Sequence, residues 1–188
     1  MTTTKAVPPP MDPNTSEATQ PQLDLARKQG DAYGEALKYM TDTVAQDGGE
    51  QPAGPYNIGY AVEDAEGMFE WDNGSLTWRD PGEKNMHVEV AVRDLSDGRF
   101  VPGVKVFVTM VAPDGQELGP YEQPLLLHPM IYHYGRNWNL PADGTYSMKI
   151  RVEPPTFMRH DEINGMRFTE VVEATFDKVK VKRGEKSP

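Results

Sequence analysis

The sequence contains no cysteine, which excludes disulfides, iron–sulfur clusters and thiolate zinc sites. No stretch approaches the roughly 20 consecutive apolar residues of a membrane-spanning helix, so no part of the chain reads as inserting into a bilayer. The start, Met1 to Pro10, has a single lysine and no apolar run. It therefore reads as neither a signal peptide nor an anchor. Either the protein works in the cytoplasm or an export signal lies outside this chain. Positive charge is scarce: 19 Lys and Arg face 29 Asp and Glu, for a net charge of −10. That argues against nucleic acid as a partner and mildly favours cations. Enzyme signatures are lacking too. There is no nucleophile-elbow serine, no Gly-rich phosphate loop after a strand and no His-Glu-x-x-His helix.

What is present suggests one packed domain with extensions, since only 37% of the 188 residues are hydrophobic. Residues 1–20, rich in Pro, Thr and Ser, read as a disordered tail. Residues 21–50 read as a helical extension. Tyr33, Leu37, Met40 and Val44 are spaced four, three and four apart, which makes one apolar stripe and predicts a helix around 32–46. Gly30 and Gly34 weaken it, and Asp47-Gly48-Gly49 stops it. From Tyr56 to Val181 short apolar or alternating runs are separated by Gly, Pro, Asp and Asn, the pattern of an all-β domain. Strands are expected at Tyr56–Glu63, Met86–Asp94, Lys105–Ala112, Leu125–His128, Gly144–Val152 and Glu170–Val181, with a short one at Ser75–Arg79. About seven strands fit an immunoglobulin-like β-sandwich over 56–181, followed by a tail at 182–188.

All four histidines fall in the β region. On a strand, His87, Glu89 and Ala91 share one face while Val88, Val90 and Val92 share the other. The valines should enter the core, leaving imidazole and carboxylate on a polar face or in a site. His128 and His133 bracket Met130 in His-Pro-Met-Ile-Tyr-His-Tyr-Gly, read as a Pro-broken loop. His160 follows Pro154-Pro155 and Met158-Arg159. Imidazole is the commonest metal ligand, and a thioether beside it suits copper(I) or another soft ion. Elsewhere, Trp71, Trp78 and Trp138 read as packing residues. Glu63, Asp64, Glu66 and Glu70 read as a solvated acidic loop able to collect cations, and Lys178 to Lys186 as a solvated strand end.

Taken in order, these motifs resemble the bacterial periplasmic family of high-affinity ferrous-iron transport accessory proteins. Its pattern is a His-x-Glu strand, a Met-Pro-Met segment leading to His-Tyr-Gly, and a Pro-Pro…Arg-His-Asp loop. Here these stand as His87-Val-Glu89, His128-Pro-Met130 leading to His133-Tyr-Gly135, and Pro154-Pro155…Arg159-His160-Asp161. His128 replaces the family's first Met, and the segment from Met130 to His133 is shorter than the family's. The resemblance implies a metal-binding immunoglobulin-like sandwich whose copper-type ligands are His87, Met130, His133 and His160. Glu89 would serve a second or shifting metal position, with His128 as an additional ligand. It further implies copper and/or iron as the cargo, with zinc or manganese as surrogates, a homodimer, a membrane iron permease as partner and an extracytoplasmic location.

The expectation is a non-catalytic metal-binding protein that assists Fe2+ uptake. Two alternatives remain: a redox enzyme on the same scaffold oxidising Fe2+ or Cu+, and an immunoglobulin-like interaction module that binds no metal.

Overall fold

The computed structural model of the protein describes residues 10–186. Two antiparallel sheets face each other across one core, which is the β-sandwich expected. The first sheet contains β1 (Asp47–Ala53), β2 (Tyr56–Glu63), β5 (Met86–Asp94), β8 (Leu125–Leu127) and β9 (Tyr132–Trp138), in the order β1-β2-β5-β9-β8. The second contains β6 (Lys105–Val111), β7 (Glu117–Gln123), β10 (Gly144–Glu153) and β11 (Val172–Val181), in the order β11-β10-β6-β7. A separate hairpin, β3 (Met68–Asp72) with β4 (Ser75–Arg79), follows β2.

Period-two alternation builds the core. Ile58, Tyr60 and Val62 of β2 meet Val88, Val90 and Val92 of β5, and Tyr134 and Trp138 of β9 complete that inner face. Val106, Val108 and Met110 of β6, with Met148, Ile150 and Val152 of β10, face them from the other sheet. Burying such side chains contributes about 1.5–3 kcal/mol each against exposure. The alternate residues, His87, Glu89 and Ala91, are thereby turned to the outer face of the first sheet.

The sequence expectations miss four strands, β1, β3, β7 and β9. β1 and β7 contain Pro52 and Pro120, residues that read as breakers. Both are edge strands, where a missing N–H removes no ladder bond. β9 is polar at its start and carries His133 on a strand rather than in a loop. The tail expected at 1–20 is partly ordered. Residues 1–9 lie outside the described residues, but Asp12 N donates to Asn164 Oδ1 at 2.7 Å and Thr15 Oγ1 to Asp161 at 2.6 Å. Trp138 is buried as expected, whereas Trp71 is 75% and Trp78 53% exposed on the β3–β4 hairpin. Among the described residues no helix is long and apolar enough to cross a membrane.

The helix α1 runs over Gln20–Tyr39 and continues as a π turn at Met40–Val44, starting earlier than the apolar stripe predicts. Thr19 caps it, with its backbone N donating to the Gln22 side chain at 2.8 Å, half of a capping box. Gly30 belongs to the helix because of close approach. A Cβ there would stand 1.8 Å from the carbonyl oxygen of Asp97, so only glycine lets α1 lie against that turn. Leu37 and Met40 pack on Ala91 of β5 and on Ile131. The helix thus lies on the same outer face that carries His87 and Glu89.

Candidate metal centre

Strand register lays the site out in rows. Across β2, β5 and β9, Glu63 pairs with His87 and His87 with Asn137; in the next row Ala61 pairs with Glu89 and Glu89 with Gly135. His133 lies two residues before Gly135 and so shares its face. His87, Glu89 and His133 each offer one ligand atom, and these atoms lie within 4.8 Å of one another. Glu89 Oε1 stands 3.3 Å from His133 Nε2 and 3.7 Å from His87 Nε2. Residues on an outer sheet face would normally be wet, yet His87 is 0%, His133 3% and Glu89 4% exposed. The covers are α1 on the Ala91 side and, on the His87 side, the segment at 64–66 bonded to residues 184–186.

Hydrogen bonds fix one imidazole and leave its outer nitrogen bare. Asn137 Nδ2 donates to the Glu66 carbonyl at 2.7 Å, which sets the amide's orientation. Its Oδ1 then accepts from His87 Nδ1 at 3.0 Å. That places the proton on Nδ1 and the lone pair on Nε2, an arrangement typical of a metal ligand oriented by a partner behind it. His87 Nε2 and both ring nitrogens of His133 are buried without any hydrogen-bond partner. Leaving such groups unsatisfied costs about 1–3 kcal/mol each, and a bound cation is the chemistry that satisfies bare imidazole nitrogens beside a carboxylate.

Burial holds both imidazoles neutral. The His133 pKa falls to about 3, through burial first and then the charges of His87 and His128. His87 is also lowered, chiefly by burial and against the pull of Glu66. The Glu89 carboxyl is pushed up to about 8 by burial, then by Glu63 and Glu66. The site is thus ready to donate nitrogen lone pairs, and Glu89 surrenders a proton to any cation that enters.

Gly135 makes the room. A Cβ on it would lie 3.1 Å from His87 Nε2, 3.1 Å from the Val88 carbonyl oxygen and 3.2 Å from His133 Cδ2, so it would crowd both rings. Replacing Gly135 with valine is expected to weaken metal binding by about 10–100-fold, as disturbing the support of a metal ligand does, with the far-UV circular dichroism unchanged. Unaltered affinity would show that the gap between the rings is not where the ion binds.

The other expected histidines do not join the converging group of these three. His128 is nearby, its ring 6.4 Å from that of His133, but its Nδ1 accepts from the Met130 backbone at 3.2 Å. Met130 stands on that turn with 39% exposure. His160 lies exposed on the loop at 154–168, lining a cleft of about 820 Å³ against Met11, Ala18, Tyr33 and Arg99. Asp161 ties that loop to Thr15. Among the described His, Asp and Glu side chains, the single chain therefore gathers two imidazoles and a carboxylate, and leaves His160 out. Sequence reasoning missed Asn137 and Gly135, which position and admit ligands without being ligands. It also assigned Glu63 to a solvated loop, whereas Glu63 is 2% exposed. The pairing of Glu63 with His87 across the strands exists only in the folded structure.

Comparison with known proteins identifies a family and a fold. The family described as Fe2+ transport protein matches residues 48–181. Comparison with curated proteins gives no match. Among solved structures, FetP of uropathogenic E. coli is similar at 16% identity and a TM-score of 0.60, over 72% of this chain and 93% of that one. The copper-reconstituted P19 protein from Campylobacter jejuni is similar at 16% identity and a TM-score of 0.62, over 73% and 96%. A copper-bound variant of FetP is similar at 15% identity and a TM-score of 0.57, over 75% and 96%. At such identities the likeness concerns the fold. The family match begins at residue 48, so α1 lies outside it.

Proposed function

We propose, from the premise that this chain belongs to the Fe2+ transport protein family, that it is a non-catalytic carrier of copper and/or iron. It would hand its ion to a membrane permease that takes up Fe2+. The observation that carries this reading is the buried trio of His87, Glu89 and His133, with three ring nitrogens that have no other partner. Two neutral imidazoles and one carboxylate form a donor set of intermediate hardness, open to copper, iron or zinc. An ion held by three ligands can also leave, as a carrier requires. The His128 ring lies 6.4 Å from that of His133, and Met130 shares its turn, so both would join the ligand set by a small movement of that turn. His160, exposed on a separate loop, would join from a second copy in a homodimer. The extracytoplasmic location belongs to the same proposal and is supported by the family membership.

The test is calorimetric titration with Cu2+ and, without oxygen, with Fe2+, followed by anomalous diffraction from loaded crystals. One ion per chain, bounded by His87, Glu89 and His133, is the expected result. Affinity no tighter than about millimolar, some 4 kcal/mol, would overturn the carrier reading and favour an interaction module. A second reading has one observation in its favour: two histidines and a carboxylate with open positions are also the donor set of non-haem iron oxygen chemistry. Steady consumption of oxygen or peroxide by the loaded protein would favour that enzyme.

A further inference from the structure

Beside the trio stands a second group of carboxylates, occupied by an unusual tenant. Glu63 is the cross-strand partner of His87, on the same face of the sheet, and is 2% exposed. Glu66 places Oε1 3.7 Å from His87 Nε2. Between the two carboxylates sits the ammonium of Lys186, bonded to Glu63 Oε2 and, at 2.8 Å, to Glu66 Oε2. The C-terminal segment delivers it. Ala65 N donates to the Gly184 carbonyl at 2.9 Å and Lys186 N to the Ala65 carbonyl at 2.8 Å, with Gly184 N bonded to Asn85 O at 2.8 Å. The segment is thus strapped along residues 64–66.

One lysine does not satisfy the group. Glu63 Oε1 is buried and has no hydrogen-bond partner. A buried carboxylate oxygen left bare is costly, and neighbouring carboxylates repel each other at close quarters. Of the two positively charged side chains a protein can offer, ammonium most resembles a compact, strongly hydrated point charge. Lys186 therefore stands where a hard cation would. It is also displaceable, because its side chain is 41% exposed against 2% for Glu63.

We propose that Glu63 and Glu66 form a second cation subsite beside the His87–Glu89–His133 centre, and that Lys186 is a tethered cation that fills it until a hard divalent ion displaces it. The inference rests on the reading of the trio as a metal centre, though the subsite is defined by different residues. Oxygen donors suit Mn2+, Mg2+ or Fe2+ better than Cu+. Glu66 is 26% exposed and His87 0%, so the Glu66 carboxylate lies on the solvent side of that imidazole. An ion arriving from that side meets Glu66 first. The ammonium weakens its hold there, which makes the pair a position of transit rather than of rest.

The experiment compares the parent with Lys186→Met, which keeps the length of the side chain and removes its charge. Mn2+ bound per chain is counted by equilibrium dialysis, and the paramagnetic resonance spectrum reads the spacing of bound ions. The expected result is one tightly bound Mn2+ for the parent, a second only as rising Mn2+ displaces Lys186, and two tightly bound ions for Lys186→Met, with dipolar broadening between them. Adding His133→Ala to Lys186→Met should remove one ion and leave one; adding Glu63→Gln instead should remove the second. If the parent binds none and Lys186→Met binds one, the subsite stands and the metal reading of the trio falls. If Lys186→Met binds the second Mn2+ no more tightly than the parent does, the tethered-cation proposal is overturned. Thermal melting of each variant separates lost binding from lost folding.

Discussion

His133→Ala is expected to raise the dissociation constant for Cu2+ by about 100-fold or more, a loss of at least ~2.7 kcal/mol, while leaving the protein folded. Of the trio, His133 is the ligand closest to Glu89, at 3.3 Å between Nε2 and Oε1. With it gone, the described His, Asp and Glu side chains no longer form a buried group of three converging ligand atoms. Folding should survive because neither ring nitrogen of His133 has a hydrogen-bond partner to lose. The packing lost and the unsatisfied nitrogens removed act in opposite directions. The measurement is thermal melting with and without metal. A ligand at 100 times its dissociation constant stabilises a folded protein by about 2.7 kcal/mol, so the parent's melting temperature should rise on loading and the variant's should not. An equal rise in both would show that the ion binds elsewhere. His87→Ala should behave alike, with an added cost from stranding Asn137 Oδ1, which accepts from His87 Nδ1.

Glu89→Gln is expected to separate stability from binding and to change the pH dependence of both. The Glu89 pKa is about 8 in the folded chain against an ordinary 4.5. The folded state therefore keeps a proton that the unfolded state gives up between those values. By linkage, its contribution to metal-free stability is full below about pH 4.5 and is lost as the pH rises through about 8. His133 has the opposite sign, with a folded pKa of about 3 against 6.5. Its contribution is present above about pH 6.5 and is lost as the pH falls through about 3. Between about 4.5 and 6.5 the two slopes oppose each other. The decline above pH 6.5 belongs to Glu89 and should vanish in Glu89→Gln. Removing that buried charge should stabilise the metal-free variant at pH 9 by about 1–4 kcal/mol. Metal binding should respond in reverse. In the parent, affinity climbs with pH up to about 8 as Glu89 yields its proton to the ion. The variant should bind about 10–100-fold more weakly, with that climb reduced. Denaturant melts at pH 6 and pH 9 test the first half and titrations at the same pH values the second. A variant less stable than the parent at pH 9 would mean that Glu89 is held charged in the metal-free protein.

Legibility tracked the distance over which each signal acts. The alternation in Met86–Asp94 is local, so the valine face and the His87–Glu89 face could be read directly, and the structure puts them in the core and on the outer face. Pro52 and Pro120 misled because their effect depends on whether a strand lies at an edge, which sheet order alone determines. The helix start was missed because Gly30, a poor helix former, is retained for its contact with the Asp97–Gly98 turn, some 67 residues further along the chain.

The sequence by itself determined the chemistry in reserve: no thiols, an acidic chain, four histidines confined to the β region, and a strand that turns an imidazole and a carboxylate the same way. Those follow from composition and from the two-residue repeat of an extended backbone. Only the tertiary structure decided which donors meet. Pairing β5 with β9 sets His133 beside Glu89, the missing side chain of Gly135 opens the space between the rings, and α1 with the C-terminal strap shuts out water. It also set His160 apart and brought Lys186 in. Each of these is a contact between segments distant along the chain, so it is fixed by strand register and packing rather than by any local pattern.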